Sequence, residues 1–165
     1  VRCVLDSEGP PFRAGMTAKP YLVKPNQAEV QRLLGHLPKS KDPVLDAADQ
    51  IHALGVEIVV LSQGARGAVM VTSHGAWRAY PPALAATNTV GTGDAMVAGM
   101  VQVLSHGGSP EEALRLGSAA GAAAALTAGT QPCRPADVVR LLPRVQVYPV
   151  PRTPAKPRAA EPVGV

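Results

Sequence analysis

The sequence has 165 residues, of which 46% are hydrophobic and 3% aromatic, and its formal net charge is +4. This length suits one domain with a substantial core, and the hydrophobic content excludes disorder throughout. No apolar run has the length of a membrane span, no signal-peptide pattern opens the sequence, and the positive charges form no basic stripe, so we expect a cytoplasmic protein that binds neither membranes nor nucleic acid.

The first predicted elements alternate between strands and helices. We expect a strand over 1–5, a weak helix over 12–18 and a second strand over 21–24, which Pro25 ends because proline cannot continue a central ladder. A helix over 27–34 follows, with Asn26 as its N-cap, Glu29 at the third helical position and Gly35 at its end. On structural grounds alone, Asn26 and Glu29 form a capping box.

The middle of the sequence predicts a buried strand and a hairpin. A helix over 43–54 precedes a nearly all-apolar strand over 57–61, as in the interior of a parallel sheet. The run Ser-Gln-Gly-Ala-Arg-Gly at 62–67 predicts either a turn with exposed backbone amides or an ordinary turn between strands. Strands over 68–72 and 76–80 then predict an antiparallel hairpin at the edge of the sheet.

The run Asn-Thr-Val-Gly-Thr-Gly-Asp at 88–94 leads directly into an apolar helix, predicted over 92–104. Backbone N–H groups at the start of a helix, together with the helix dipole, form a favourable anion site. Asp94 beside such a site is a candidate general base for a hydroxyl that attacks a phosphoryl group. The alternative is a tight glycine turn in which Asp94 only caps the helix.

The last part of the chain is predicted to be helical and then irregular. Ser109 and Pro110 start a helix that runs to about residue 128 and is rich in alanine, with small residues that permit close approach of another helix or of a flat ligand. Packing in the core is the default interpretation. A short helix over 135–142 ends a domain of residues 1–145, and the Pro/Arg-rich segment 146–165 is predicted to be a disordered tail.

The order of these elements predicts an α/β domain. The Lys-Pro-Asn-Gln-Ala-Glu run at 24–29 and the runs at 62–67 and 88–94 resemble three motifs of the PfkB (ribokinase-like) sugar kinases. Segments 5–9 and 19–26 are similar to the branch of 1-phosphofructokinase and tagatose-6-phosphate kinase. The resemblance covers about residues 1–142 and implies a three-layer α/β/α, Rossmann-like sheet. It implies the C-terminal half of that fold, with the lid domain absent.

The resemblance assigns phosphoryl-transfer chemistry to the run at 88–94. Asp94 is the implied general base. The implied anion hole consists of the amides of Gly91, Thr92 and Gly93. The family usually has Ala or Ser at the middle position, where this chain has Thr92, so the geometry of the loop is expected to differ slightly.

The resemblance also implies sites for ATP and Mg²⁺. Asn26 and Glu29 would organise Mg²⁺, largely through water, as that ion prefers. The residues implied to contact ATP are Lys24, Ser62, Gly64, Gly67 and Gly121.

The expected activity is ATP-dependent phosphorylation of fructose 1-phosphate to fructose 1,6-bisphosphate, with tagatose 6-phosphate as the alternative substrate. A second hypothesis is a truncated, non-catalytic nucleotide-binding or association module, because the family's sugar-binding segment and lid do not occur in these 165 residues. An uncovered sheet would favour a homodimer or another association.

Overall fold

A computed structural model describes residues 1–129 and 131–152 of the chain, and in that part six strands form one mixed sheet in the spatial order β1-β2-β3-β4-β5-β6. The strands are Val4–Leu5 (β1), Leu22–Val23 (β2), Ile58–Ser62 (β3), Ala68–Thr72 (β4), Gly75–Tyr80 (β5) and Gln146–Pro149 (β6).

In the described part of the chain, six α-helices are interspersed with these strands. They are Gly9–Met16 (α1), Gln27–Leu34 (α2), Pro43–His52 (α3), Thr92–Ser105 (α4), Pro110–Ala124 (α5) and Pro135–Leu141 (α6), with 3₁₀ turns at Gly64–Arg66 and Leu142–Arg144. None of the helices in residues 1–129 and 131–152 is both long enough and apolar enough to cross a bilayer.

Two helices begin directly after the capping residues that the sequence predicts. The capping box of Asn26 and Glu29 is present at the start of α2, and Ser109 and Glu112 form a second one at α5. The two hydrogen bonds from Ser109 hold the pKa of Glu112 below its usual range. Helix α1 differs from the predicted 12–18 because Pro10 and Pro11 fit the first turn of a helix, where their missing N–H groups need no partner.

The chain divides into two compact units. The first unit consists of residues 1–61, 69–76 and the described residues 151–152. In it, β1 pairs in parallel with β2, Val4 facing Leu22, and β2 pairs in parallel with β3, Leu22 facing Ile58. Its largest fully buried side chains are Leu22, Val23, Val30, Ile51, Val56, Val59, Val60, Leu61 and Met70.

The second unit consists of residues 62–68 and 77–150. Helix α4 packs along α5, and α5 also contacts α6 and β6. The close approach of α4 and α5 depends on glycine: a Cβ on Gly99 would lie 2.9 Å from the Cα of Gly117. This contact confirms the packing interpretation of the small residues in α5.

Strand β6 corrects two predictions. It pairs antiparallel with β5, Tyr80 facing Gln146, so the hairpin strand β5 is not the edge of the sheet. Residues 146–149, predicted as the start of a disordered tail, are a strand because pairing with β5 satisfies their backbone groups, which local sequence does not reveal. The rest of the predicted tail from residue 153 lies outside the described residues.

Candidate active site

The start of α4 is built as an open helix end. Gly91 is its N-cap and has a φ of 75°, a left-handed conformation that glycine adopts without strain. Among residues 1–129 and 131–152, no side chain caps this helix end. The hydroxyl of Thr92 donates to the carbonyl of Thr89 at 2.9 Å. The threonine at this position therefore adds a hydrogen bond within the loop. The N–H of Thr92 also donates to the carbonyl of Thr89, in a long bond of 3.5 Å, and a helix end without a side-chain cap is suited to an anion.

Asp94 lies in the first turn of α4 and is exposed. Because Gly91 is the N-cap and no side chain in the described part of the chain caps the helix, the alternative in which Asp94 serves as the cap is wrong. An exposed carboxylate next to an open helix end can accept a proton from a hydroxyl group bound there.

Asn88 fixes the loop that precedes α4, a role that its neighbours in the sequence do not indicate. Its side-chain oxygen accepts from the N–H of Val90 at 3.0 Å, and its side-chain nitrogen donates to the carbonyl of Gly129. The N–H of Thr87 also donates to the carbonyl of Ala125, at the end of α5, at 2.8 Å. The only sequence signal was the frequent use of asparagine in turns.

Gly121 of α5 lies against the start of α4. A Cβ on Gly121 would come 3.1 Å from the carbonyl oxygen of Thr92. Close packing of the two helices is therefore sufficient to explain this glycine. Its contact with ATP stays a prediction.

The turn after β3 contains three predicted ATP contacts. Ser62 ends β3, and Gly64 starts the 3₁₀ turn with a φ of 60°. Hydrogen bonds close this turn on itself: the N–H of Gln63 donates to Gly67 at 2.8 Å, and that of Gly67 donates to Gly64 at 3.0 Å. Gly67 is buried, and a Cβ there would lie 1.9 Å from the carbonyl oxygen of Ala79. Packing against Ala79 therefore requires glycine at position 67, whether or not the turn also contacts ATP.

Lys24 directly follows β2 and is 6% exposed. Its ammonium lies 3.3 Å from the carboxylate of Asp6, which follows β1. Because β1 and β2 are parallel neighbours, the residues that follow them meet at the same end of the sheet. Asp6 was not among the predicted site residues, since the pairing of two short strands is not readable from their sequences.

Asn26 and Glu29 hold each other at the start of α2. The carboxylate of Glu29 accepts from the backbone N–H of Asn26 at 2.9 Å and from its side-chain amide at 2.7 Å. A carboxylate has about four acceptor positions, so these two bonds leave room for metal-bound water. Glu29 also lines a cavity of about 260 Å³ formed by α1 and α2.

A magnesium ion held largely through water fits this donor set. In residues 1–129 and 131–152, no three side chains of His, Cys, Asp or Glu are grouped to hold a metal directly. Mg²⁺ usually keeps several waters and needs only one or two protein carboxylates, so a single half-buried Glu29 next to Asn26 is compatible with it.

Comparison with known proteins gives consistent matches. The profile of the family described as pfkB family carbohydrate kinase matches residues 1–137. A 1-phosphofructokinase from Haemophilus influenzae is 39% identical over 123 residues, which are 74% of this chain and 39% of that protein. The ATP-dependent 6-phosphofructokinase isozyme 2 of Escherichia coli is 38% identical over 143 residues, which are 86% of this chain and 46% of that protein.

A solved structure of phosphofructokinase-2 from Escherichia coli in complex with potassium has a TM-score of 0.82 and 37% identity, covering 87% of this chain and 47% of that one. The α/β fold implied by the sequence motifs is therefore confirmed. The chain spans less than half the length of the curated relatives described above.

Proposed function

Because the chain belongs to the pfkB family of carbohydrate kinases, we propose that it provides the ATP-binding and catalytic part of an enzyme that phosphorylates fructose 1-phosphate to fructose 1,6-bisphosphate. The observation that carries this proposal is the start of α4. There, a left-handed Gly91 opens a helix without a side-chain cap, and Asp94 is exposed in the first turn.

In the proposed reaction, Asp94 accepts the proton of the 6-hydroxyl group of the sugar. The hydroxyl oxygen forms a bond to the γ-phosphorus of ATP, the bond from that phosphorus to the β,γ-bridging oxygen breaks, and ADP leaves. Phosphoryl transfer requires positioning and charge stabilisation more than covalent chemistry. The amides of Gly91, Thr92 and Gly93 would donate to the oxygens of the transferred group, where negative charge is spread in the transition state.

The first unit is proposed to act on the phosphates of ATP and on Mg²⁺. Bound Mg²⁺ would neutralise phosphate charge. Asn26 and Glu29 would hold it through water, since their reciprocal bonds keep both side chains in one orientation. Lys24 would donate to phosphate oxygens as a charged donor. For Ser62, Gly64, Gly67 and Gly121, contact with ATP is proposed from the sequence motifs.

Two observations favour fructose 1-phosphate as the substrate. Segments 5–9 and 19–26 are similar to the 1-phosphofructokinase branch, and the relative from Haemophilus influenzae bears that name. The Escherichia coli relative is named a 6-phosphofructokinase at similar identity, so fructose 6-phosphate belongs in the assay beside tagatose 6-phosphate.

A non-catalytic nucleotide-binding or association module is the second candidate, and the observation that favours it is the free side of strand β1 among the described strands. Strand β1 lies at one end of the sheet order and pairs with β2 on one side. No strand of residues 1–129 or 131–152 pairs with its other edge, which is therefore suited to association with another strand, including one from a second copy.

The decisive experiment assays the complete gene product for ATP-dependent phosphorylation of the three phosphosugars. We expect fructose 1-phosphate to be consumed and the Asp94→Asn variant to lose about 10²–10⁴-fold in kcat, the usual contribution of a general base. Glu57→Gln is the matched control, because it also replaces a carboxylate by an amide and Glu57 is exposed and outside the site.

Calorimetry of the complete gene product with Mg-ATP, combined with the phosphorylation assay, separates the two candidates. Binding of Mg-ATP by a complete gene product that transfers no phosphate would support the module. Unchanged turnover in Asp94→Asn would contradict the mechanism.

A further inference from the structure

We propose that the cavity between α1 and α2 binds a small organic monocarboxylate. The apolar body of this ligand would lie against Phe12 and Leu33, and its carboxylate would be held by Arg13 and Arg32. All four residues belong to the first unit. The site goes beyond the proposed function, because no step of the proposed reaction takes place in this cavity.

The cavity has the size and the wall of a site for a small metabolite. Its volume is about 260 Å³, just below the range of roughly 300–1,000 Å³ that is usual for ligand pockets. Pro10 and Leu33 line it, and Phe12, which is 2% exposed, supplies an aromatic ring. Such a wall favours a hydrocarbon body over a sugar, since each sugar hydroxyl group needs a polar partner when it is buried.

Arg13 brings a guanidinium group to this cavity in a fixed orientation. Its Nη2 atom donates to the carbonyl of Arg32 at 3.1 Å and to the carbonyl of Leu33 at 3.3 Å. Both bonds come from one nitrogen, whereas a guanidinium group has five N–H donors. Arg13 can therefore donate to a bound carboxylate without releasing the end of α2.

Arg32 lines the same cavity and already contacts a carboxylate. Its Nη2 atom lies 3.3 Å from the carboxylate of Glu8, and the two side chains are 57% and 76% exposed. An exposed ion pair contributes little to stability, so a ligand can replace Glu8 at small cost. Arginine also binds carboxylates with two parallel hydrogen bonds, which gives such a site its specificity.

Glu29 limits the charge of the ligand. Its carboxylate lines the cavity beside the two guanidinium groups, so the described lining residues carry one net positive charge. One carboxylate matches this charge. A phosphate ester carries a charge of about −1.5 to −2 and would be repelled more strongly by Glu29.

Calorimetry of the complete gene product, without ATP or sugar, tests the site with three probes of similar shape. Benzoate has an apolar ring and one carboxylate, benzamide is neutral, and phenyl phosphate carries the larger charge. We expect benzoate to bind more tightly than the other two. Equal binding of benzamide, or no binding of benzoate, would overturn the proposal. Tighter binding of phenyl phosphate would overturn the assignment of a monocarboxylate.

Substitutions at the ion pair test the role of Arg32. Arg32→Met should weaken benzoate binding by about 10–100-fold, the usual worth of a charge-assisted hydrogen bond. Arg140→Met is the matched control, because Arg140 is 60% exposed and is also paired with an acidic side chain. Glu8→Gln removes the competing carboxylate and should strengthen binding. Equal losses in the two arginine variants, or weaker binding in Glu8→Gln, would overturn the role of Arg32.

Amide chemical shifts of the complete gene product, measured by NMR, locate the bound benzoate. We expect shifts to change at residues 9–13 and 29–33. Changes confined to residues 91–94 would place benzoate at the proposed anion hole and would overturn the proposal. Because these measurements need no phosphate transfer, they decide the proposal even if none of the three sugars is phosphorylated.

Discussion

The ammonium of Lys24 and the carboxylate of Asp6 lie 3.3 Å apart, and the lysine side chain is 7% exposed whereas that of Asp6 is 27% exposed. Asp6 thus places a carboxylate beside a buried ammonium group. The pair holds the lysine side chain in place at the end of β2, where the proposed function has Lys24 bind phosphate.

Replacing Lys24 by methionine tests this role. The change keeps most of the side-chain volume and removes the charge, so we expect the Kd for Mg-ATP to rise by about 10–100-fold, the usual worth of a charge-assisted hydrogen bond. Isothermal calorimetry measures it. Lys41→Met, at an exposed lysine, should leave the Kd unchanged. An equal loss in both variants would assign the effect to net charge rather than to Lys24.

Glu29 has a structural role and a proposed metal role, which two substitutions separate. Glutamine at this position also completes a capping box, so Glu29→Gln is expected to change the free energy of unfolding by less than about 0.5 kcal/mol while raising the Mg²⁺ concentration needed for ATP binding. Glu29→Ala should lose both functions. Chemical denaturation and magnesium titration are the measurements, and unaltered magnesium dependence in Glu29→Gln would remove Glu29 from the proposed metal site.

Gly67 and Gly64 are expected to respond differently to alanine. Both have a positive φ, but a Cβ on Gly64 meets nothing within 4 Å, whereas one on Gly67 would lie 1.9 Å from a backbone oxygen. Gly64→Ala should cost about 1–2 kcal/mol, the strain of the left-handed conformation. Gly67→Ala should cost clearly more, because the backbone near Ala79 must move. Urea denaturation of the two variants measures the difference, and equal costs would contradict the packing role of Gly67.

The buried ion pair of Arg152 and Asp49 gives a pH-dependent prediction. Arg152 donates to the Asp49 carboxylate and to the carbonyl of Thr72, both at 2.5 Å, and the two charged side chains are 12% and 5% exposed. Burial raises the pKa of Asp49 above its ordinary 3.8, and Arg152 opposes that shift. Since the folded state holds this proton more tightly, the contribution of Asp49 to stability falls as the pH rises through its raised pKa.

Arg152→Met should therefore destabilise the protein by about 3–5 kcal/mol at neutral pH, the usual cost of an unpaired buried charge. Without Arg152 the pKa of Asp49 rises further, so the loss should shrink when acid protonates the carboxylate. Unfolding free energies measured from neutral to acidic pH check this. Arg140→Met breaks the exposed pair with Asp137 and should cost less than about 1 kcal/mol at any pH. A pH-independent cost for Arg152→Met would contradict the assignment.

Helix and strand bounds that depend on residues close together in the sequence were predicted correctly. The capping box places α2 at residues 27–34 in both the prediction and the structure, and β4 likewise occupies 68–72. The family followed from three short runs whose residue types are set by local backbone geometry. Local hydrogen bonds and periodic burial act within a few residues, so one sequence is sufficient to reveal them.

Long-range partners were decided by the tertiary structure alone. Strand β6, the pairing of Lys24 with Asp6, and the bond from Asn88 to Gly129 each join segments whose separation no local pattern encodes. The sequence determined that an open glycine-rich helix start would carry Asp94. Which distant groups hold that loop and that lysine in place depends on chain topology, because a buried polar group is satisfied by whatever partner the fold brings within hydrogen-bond distance.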